Sequence, residues 1–170
     1  MSSVYLTESQ IHGTGVYAGR DFTPGEMILT IDDSRIVDAA HPLRPELGEY
    51  EYHCDYLANG LVVLMLSPER HINHSCDPNS YVKTIDGKRR IVALKPIRTG
   101  EEITNDYIIN CHGGIVWECD CGAPRCRGTI VSSYFDLADD WQVRYLPLLD
   151  DWFVEAYRVK VDEIKRKAHG

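Results

Sequence analysis

The chain has 170 residues, 44% of them apolar and 26% charged, which excludes a wholly disordered, collagen-like or low-complexity protein and predicts one domain, or one domain with a short appendage. Its longest apolar run, Leu61 to Leu66, falls far short of the roughly 20 residues a membrane helix requires, so no membrane span is expected. Eighteen Lys and Arg against 26 Asp and Glu leave a net charge of −8, which disfavours direct clamping of a nucleic-acid backbone and favours a basic peptide as partner.

In chain order, Met1-Ser2-Ser3-Val4-Tyr5 has neither the basic start nor the apolar stretch of a secretory signal. A reducing compartment, cytoplasmic or nuclear, is expected, with export by a signal-less route as the alternative. From Val4 to Leu94 the pattern is one of short strands broken by turns. In His12-Gly13-Thr14-Gly15-Val16-Tyr17-Ala18 two glycines let a ligand approach the main chain. A plain glycine turn is the alternative, and a Rossmann nucleotide site is disfavoured because Ala18 stands where a third glycine belongs and no helix follows. Pro24-Gly25 leads into a strand over Glu26 to Ile31, and Pro42 to Asp55 reads as a loop with a short helix.

Arg70-His71-Ile72-Asn73-His74-Ser75-Cys76-Asp77-Pro78-Asn79 is dense in hydrogen-bonding side chains and lacks a regular period, as a site-building loop would. Alone it could equally be a surface turn nucleated by Asp77-Pro78-Asn79. A Cys/His hydrolase on His74 and Cys76 lacks a third, orienting group. A hairpin follows, Tyr81 to Ile85 and Lys88 to Leu94 about Asp86-Gly87, a pair suited to a type I′ turn. Glu101 to Tyr107 then reads as a short strand ending on a tyrosine. Near Val131 the composition turns helical: Phe153, Tyr157, Val161, Ile164 and Ala168 share one face, Asp150 and Asp151 sit near the start of that helix, and Lys165 to Lys167 near its end. Pro147 separates it from a shorter helix, and the tail is expected to pack on the domain or to form a homodimer face.

Cys119-Asp120-Cys121-Gly122-Ala123-Pro124-Arg125-Cys126 spells C-x-C-x4-C and brings three thiolates within reach of one tetrahedral ion, zinc being favoured by sulfur. A chance cluster of buried thiols is the alternative. The fourth ligand is open among Cys54, Cys76 and Cys111, or His53, His74 and His112. A closed four-sulfur site would be structural, so chemistry must lie elsewhere.

Taken in this order, Gly13-Thr14-Gly15-Val16, Asn73 to Asn79, Glu101 to Tyr107 and the cysteine knuckle followed by Arg127-Gly128 resemble the SET-domain protein lysine methyltransferases with a post-SET zinc segment, over about Val4 to Gly128. The resemblance implies a mainly β (α+β) fold of small curved sheets with a pseudoknot, followed here by C-terminal helices. It divides the chain into a SET domain (1–112), a post-SET segment (113–130) and a helical extension (131–170). It implies S-adenosylmethionine as methyl donor, held by His12, Gly13, Thr14, Gly15, Arg70, His71, Asn73 and His74, with Tyr52 added. It makes Tyr107 the catalytic residue and Cys76 the fourth zinc ligand beside Cys119, Cys121 and Cys126. The implied substrate is a lysine of a basic protein such as a histone or ribosomal protein. A catalytically silent SET module acting as a scaffold is the alternative. Two departures stand out: Asn105 where the family often has an aromatic, and Thr14 where it often has tryptophan.

Overall fold

The computed structural model describes residues 3–168. Strands β1 (Val4–Glu8) and β2 (Thr14–Ala18) form an antiparallel hairpin, registered from Val4 opposite Ala18 to Glu8 opposite Thr14. Gly13, at φ +50°, occupies the left-handed region at its turn. The expected Glu26–Ile31 strand is β3, Met27–Thr30. The Asp-Gly hairpin forms as β7 (Ser80–Ile85) and β8 (Lys88–Ala93), with Asp86 at φ 52° and Gly87 at φ 71°, the two positive angles a type I′ turn needs.

Between these hairpins lies β9 (Glu102–Asn105), antiparallel to β2 and parallel to the two-residue β6 (Asn73–His74). One seven-stranded sheet results, in the order β1-β2-β9-β7-β8-β3 with β6 beside β9. The parallel pairing of Asn73 with Thr104 and His74 with Asn105 fixes where the 73–79 loop meets the chain leading to Tyr107. Two small sheets complete the β structure: β4 (Cys54–Tyr56) with β5 (Val62–Leu64), and β10 (His112–Glu118) with β11 (Thr129–Ser133). Segment 42–55 contains single helical turns at Pro45–Leu47 and Glu51–His53. There Arg35 and Arg44 clamp the buried Glu49 and hold its carboxyl well below the ordinary range.

The tail is α1 (Asp139–Tyr145), a turn holding Pro147, α2 (Asp151–Ala156) and α3 (Arg158–Ala168). The single periodic helix expected from about Asp150 is therefore two, broken at Tyr157 (φ −118°, ψ 30°). The break lets both pieces face one core, because the apolar face continues across it. Asp150 starts α2 by accepting from the Asp151 N–H, and its other oxygen accepts the Thr84 N–H and hydroxyl at 2.9 and 2.7 Å. This pins the tail to β7.

Two apolar cores follow. The first, under the large sheet, gathers Val16, Phe22, Ile28, Ile72, Ile91, Ile97 and Ile103. The second joins the knuckle to the tail through Cys76, Ile108, Ile130, Tyr134, Trp141, Phe153, Val161 and Ile164. The apolar stripe of α3 is thus buried within the chain. Among the described residues no helix is long and apolar enough to cross a membrane.

Candidate active site and metal centre

The sulfur atoms of Cys76, Cys119, Cys121 and Cys126 all lie within 4.8 Å of one another. Cys119 Sγ is 3.9 Å from Cys76 Sγ and 3.8 Å from Cys126 Sγ. Four sulfurs about 2.3 Å from a central zinc stand about 3.8 Å apart, so the donor set and spacing are compatible with a closed zinc site. Of the six candidates for fourth ligand, Cys76 joins the cluster. Burial pushes the Cys76 and Cys119 thiols up. Burial opposes ionisation of Cys121 too, but the N–H groups of Cys76 and Ala123 aimed at its sulfur prevail and hold it at about 7. Burial thus disfavours the free thiolate at Cys76 and Cys119, a cost that a bound cation would offset.

Near the β1–β2 turn, Asn73 holds the glycine-bearing segment. Its side-chain amide nitrogen, with two N–H donors, lies within hydrogen-bond reach of the carbonyls of His12 (3.0 Å) and Thr14 (3.4 Å), of Ser9 Oγ (3.0 Å) and of Glu102 Oε1 (2.8 Å). Glu102, paired across strands with Tyr17, also accepts from Ser9 Oγ (2.8 Å) and the Tyr17 hydroxyl (3.2 Å). A Cβ on Gly15 would run into this carboxylate and push it from its present position. Glu102 and Ser9 carry no local sequence signal, since their contact spans 93 positions.

Tyr107 follows β9. Its hydroxyl donates to the Ile72 carbonyl at 2.7 Å, its N–H donates to His74 Nδ1 at 3.2 Å, and its ring meets the His74 ring at 5.2 Å. The side chain is nonetheless 48% exposed, so one face is open while the hydroxyl end is enclosed. Burial and the charge of Asp55 push its phenol up to about 12. The His74 ring is buried, which lowers it to about 4 and keeps it neutral. Because Nδ1 accepts, the hydrogen-bond network assigns its proton to Nε2, which faces Cys76 Sγ at 3.5 Å. The ring thus links tyrosine and knuckle. Trp117, on β10, stands edge-on to it at 5.9 Å.

Arg70 and His71 form one helical turn before β6, with Arg70 Nε 3.2 Å from His71 Nε2. Burial first, then the charges of Arg70 and His71, lower His53, and Tyr52 packs edge-on to His53 at 4.4 Å and stacks on Tyr50 at 5.3 Å. Tyr52 is 74% exposed, on the outer side of this group. Of the residues singled out in the sequence, the His12 to Gly15 turn, Asn73, His74 and Tyr107 are joined by contacts, Asn73 bonding the turn and His74 bonding Tyr107, with Arg70 and His71 shortly before Asn73 in the chain. Asp106, immediately before Tyr107, is buried, and its carboxylate binds Arg127 Nη2 at 2.8 Å.

A family model for the SET domain matches residues 13–108. Over 137 residues the chain is 35% identical to the histone-lysine N-methyltransferase trithorax of Drosophila virilis, covering 73% of this chain and 4% of that protein. Over 136 residues it is 35% identical to the histone-lysine N-methyltransferase set-2 of Caenorhabditis elegans, covering 74% and 9%. The chain thus spans less than a tenth of the length of these relatives. A crystal structure of a candidate histone methyltransferase from Plasmodium falciparum shares the fold with a TM-score of 0.50 at 21% identity, over 63% of this chain and 94% of that one.

Proposed function

This chain belongs to the SET-domain family, and from that premise we propose that it transfers a methyl group from S-adenosylmethionine to the side-chain amine of a lysine in a basic protein such as a histone. The observation that carries the reading is the chain of contacts that brings Tyr107, His74, Asn73 and the His12–Gly15 turn together beside a four-cysteine cluster. S-adenosylmethionine, when bound, supplies a methyl group on a sulfonium that is already a good leaving group. The protein's part is then to align a neutral amine with it.

In this reading the main chain of residues 12–15, held by Asn73, cradles the donor together with Arg70, His71, His74 and Tyr52, and Trp117 adds an aromatic wall. Tyr107, committed as a donor to Ile72, keeps its oxygen lone pairs to accept an amine N–H and orient it. Its phenol stays protonated at neutral pH, so it positions and does not act as the base. The charges of Asp55 and Glu102, both felt at Tyr107, make the cleft favourable to cations. A zinc ion held by Cys76, Cys119, Cys121 and Cys126 would fix the 73–79 loop and take no part in transfer. The net charge of −8 suits a basic tail and, with histones as substrate, a nuclear location.

The test is incubation of the chain with methyl-labelled S-adenosylmethionine and core histones, followed by mass spectrometry. Label on lysine is expected. Donor binding by calorimetry without transfer to any basic protein would leave only the scaffold role.

A further inference from the structure

The helical tail reaches the residue before Tyr107 through a buried polar bond. Asp106, immediately before Tyr107, has a side chain wholly excluded from solvent. Its two oxygens are held by different parts of the chain. Oδ1 accepts from Arg127 Nη2 at 2.8 Å and from the Ile108 N–H at 3.2 Å, while Oδ2 accepts the Tyr145 hydroxyl at 2.8 Å. Tyr145 is the last residue of α1 and is fully buried. Asp106 Oδ1 also lies 3.7 Å from His74 Nδ1, the atom that accepts the Tyr107 N–H. The carboxylate thus lies beside the ring to which the Tyr107 N–H is bonded, while its far oxygen is held from the tail.

A buried carboxylate keeps one orientation only while both oxygens have donors. Without the Tyr145 hydroxyl, Oδ2 has no partner and the group can turn about Cβ–Cγ, loosening the main chain from which Tyr107 projects. Attachment of the tail does not depend on this bond, because Asp150 binds Thr84 and the Leu149 carbonyl accepts from Lys83 Nζ at 2.7 Å. A phenylalanine at 145 would keep the ring packed on Trp141, 5.4 Å between centroids.

We propose that Tyr145 is a positioning residue for methyl transfer: by holding Asp106 Oδ2 it sets residues 106–107 and hence the Tyr107 hydroxyl, which makes the C-terminal extension part of the catalytic device. The inference rests on the lysine methyltransferase reading.

The test uses the full chain with labelled S-adenosylmethionine and core histones, comparing wild type, Tyr145→Phe, Asp106→Asn, the double variant, and Val161→Ala, which loosens the second core without removing the Tyr145–Asp106 bond. Tyr145→Phe is expected to lower kcat about tenfold, the scale of one buried hydrogen bond to a charged group, with both KM values and the metal content held. Val161→Ala should lower Tm and leave kcat unchanged, and the double variant should be no slower than Asp106→Asn alone. Wild-type kcat in Tyr145→Phe, an equal loss in Val161→Ala, or losses that multiply in the double variant each overturn the inference while leaving the methyltransferase reading intact. A wild-type chain that moves no methyl group overturns both.

Discussion

The hydroxyl of Tyr107 donates to the main-chain carbonyl of Ile72 at 2.7 Å, tying the second residue after β9 to the one that precedes β6. The bond fixes the phenol of a residue that is otherwise half-exposed. Tyr107→Phe removes the oxygen and leaves the packing, so kcat should fall about a hundredfold or more, within the range typical of a lost positioned polar group. Calorimetric donor affinity and metal content should match wild type. Unreduced turnover would assign the chemistry to another group.

The pH dependence follows from the same residue. Burial and Asp55 push Tyr107 up to about 12, so the phenol remains neutral across the range of ordinary assays. A substrate lysine titrates near about 10.4 in water, and a neighbouring sulfonium lowers that value. Deprotonation of the amine increases with pH, so kcat/KM should rise about tenfold per unit until the amine's own pKa and then level off. Tyr107→Phe should show the same slope at a lower level. A falling limb between about pH 8 and 10 would mean that the phenol ionises there, against the raised value.

The knuckle should bind one zinc per chain, measured by metal analysis. Cys126→Ser leaves three thiols, and zinc content should drop to near zero with a Tm lower by about 10 °C or more, because binding energy of such a site is folding energy. Methyl transfer should fall as well, since Cys76 also belongs to the 73–79 loop. A chelator should reproduce the loss and added zinc reverse it. Full zinc content in Cys126→Ser would place the metal elsewhere.

Glu102 gathers Ser9, Tyr17 and Asn73 around one carboxylate. Glu102→Gln keeps the shape but turns an amide toward those donors, so affinity for S-adenosylmethionine should weaken about tenfold, or roughly 1.4 kcal/mol. Gly15→Ala should act similarly, because its new Cβ displaces the carboxylate from all three partners. Unchanged calorimetric affinity in both would remove this network from the donor site.

Features set by neighbours in sequence were legible. Asp86-Gly87 announces its hairpin because the turn chemistry is local, and three of the four clustered cysteines lie within one short knuckle. Cys76, 43 positions before Cys119, is singled out only by family resemblance, as spacing alone leaves six candidates. Glu102 looks like any polar strand residue until β2 pairs beside it. The break at Tyr157 is equally hidden, since Phe153, Val161 and Ile164 keep helical spacing across it. The role of the His74 ring as a link between Tyr107 and Cys76 depends on the parallel pairing of β6 with β9, a long-range event that no local pattern encodes.

The second core has a practical consequence. Cys76 and Ile108, inside the family-matched stretch, are covered by Tyr134, Trp141 and Phe153, which lie beyond it. A version cut back to that stretch would bare a greasy wall directly behind its tyrosine, so it should precipitate before its turnover could be assayed. The module is not portable without its tail, and grafting it onto another scaffold means carrying the helices along.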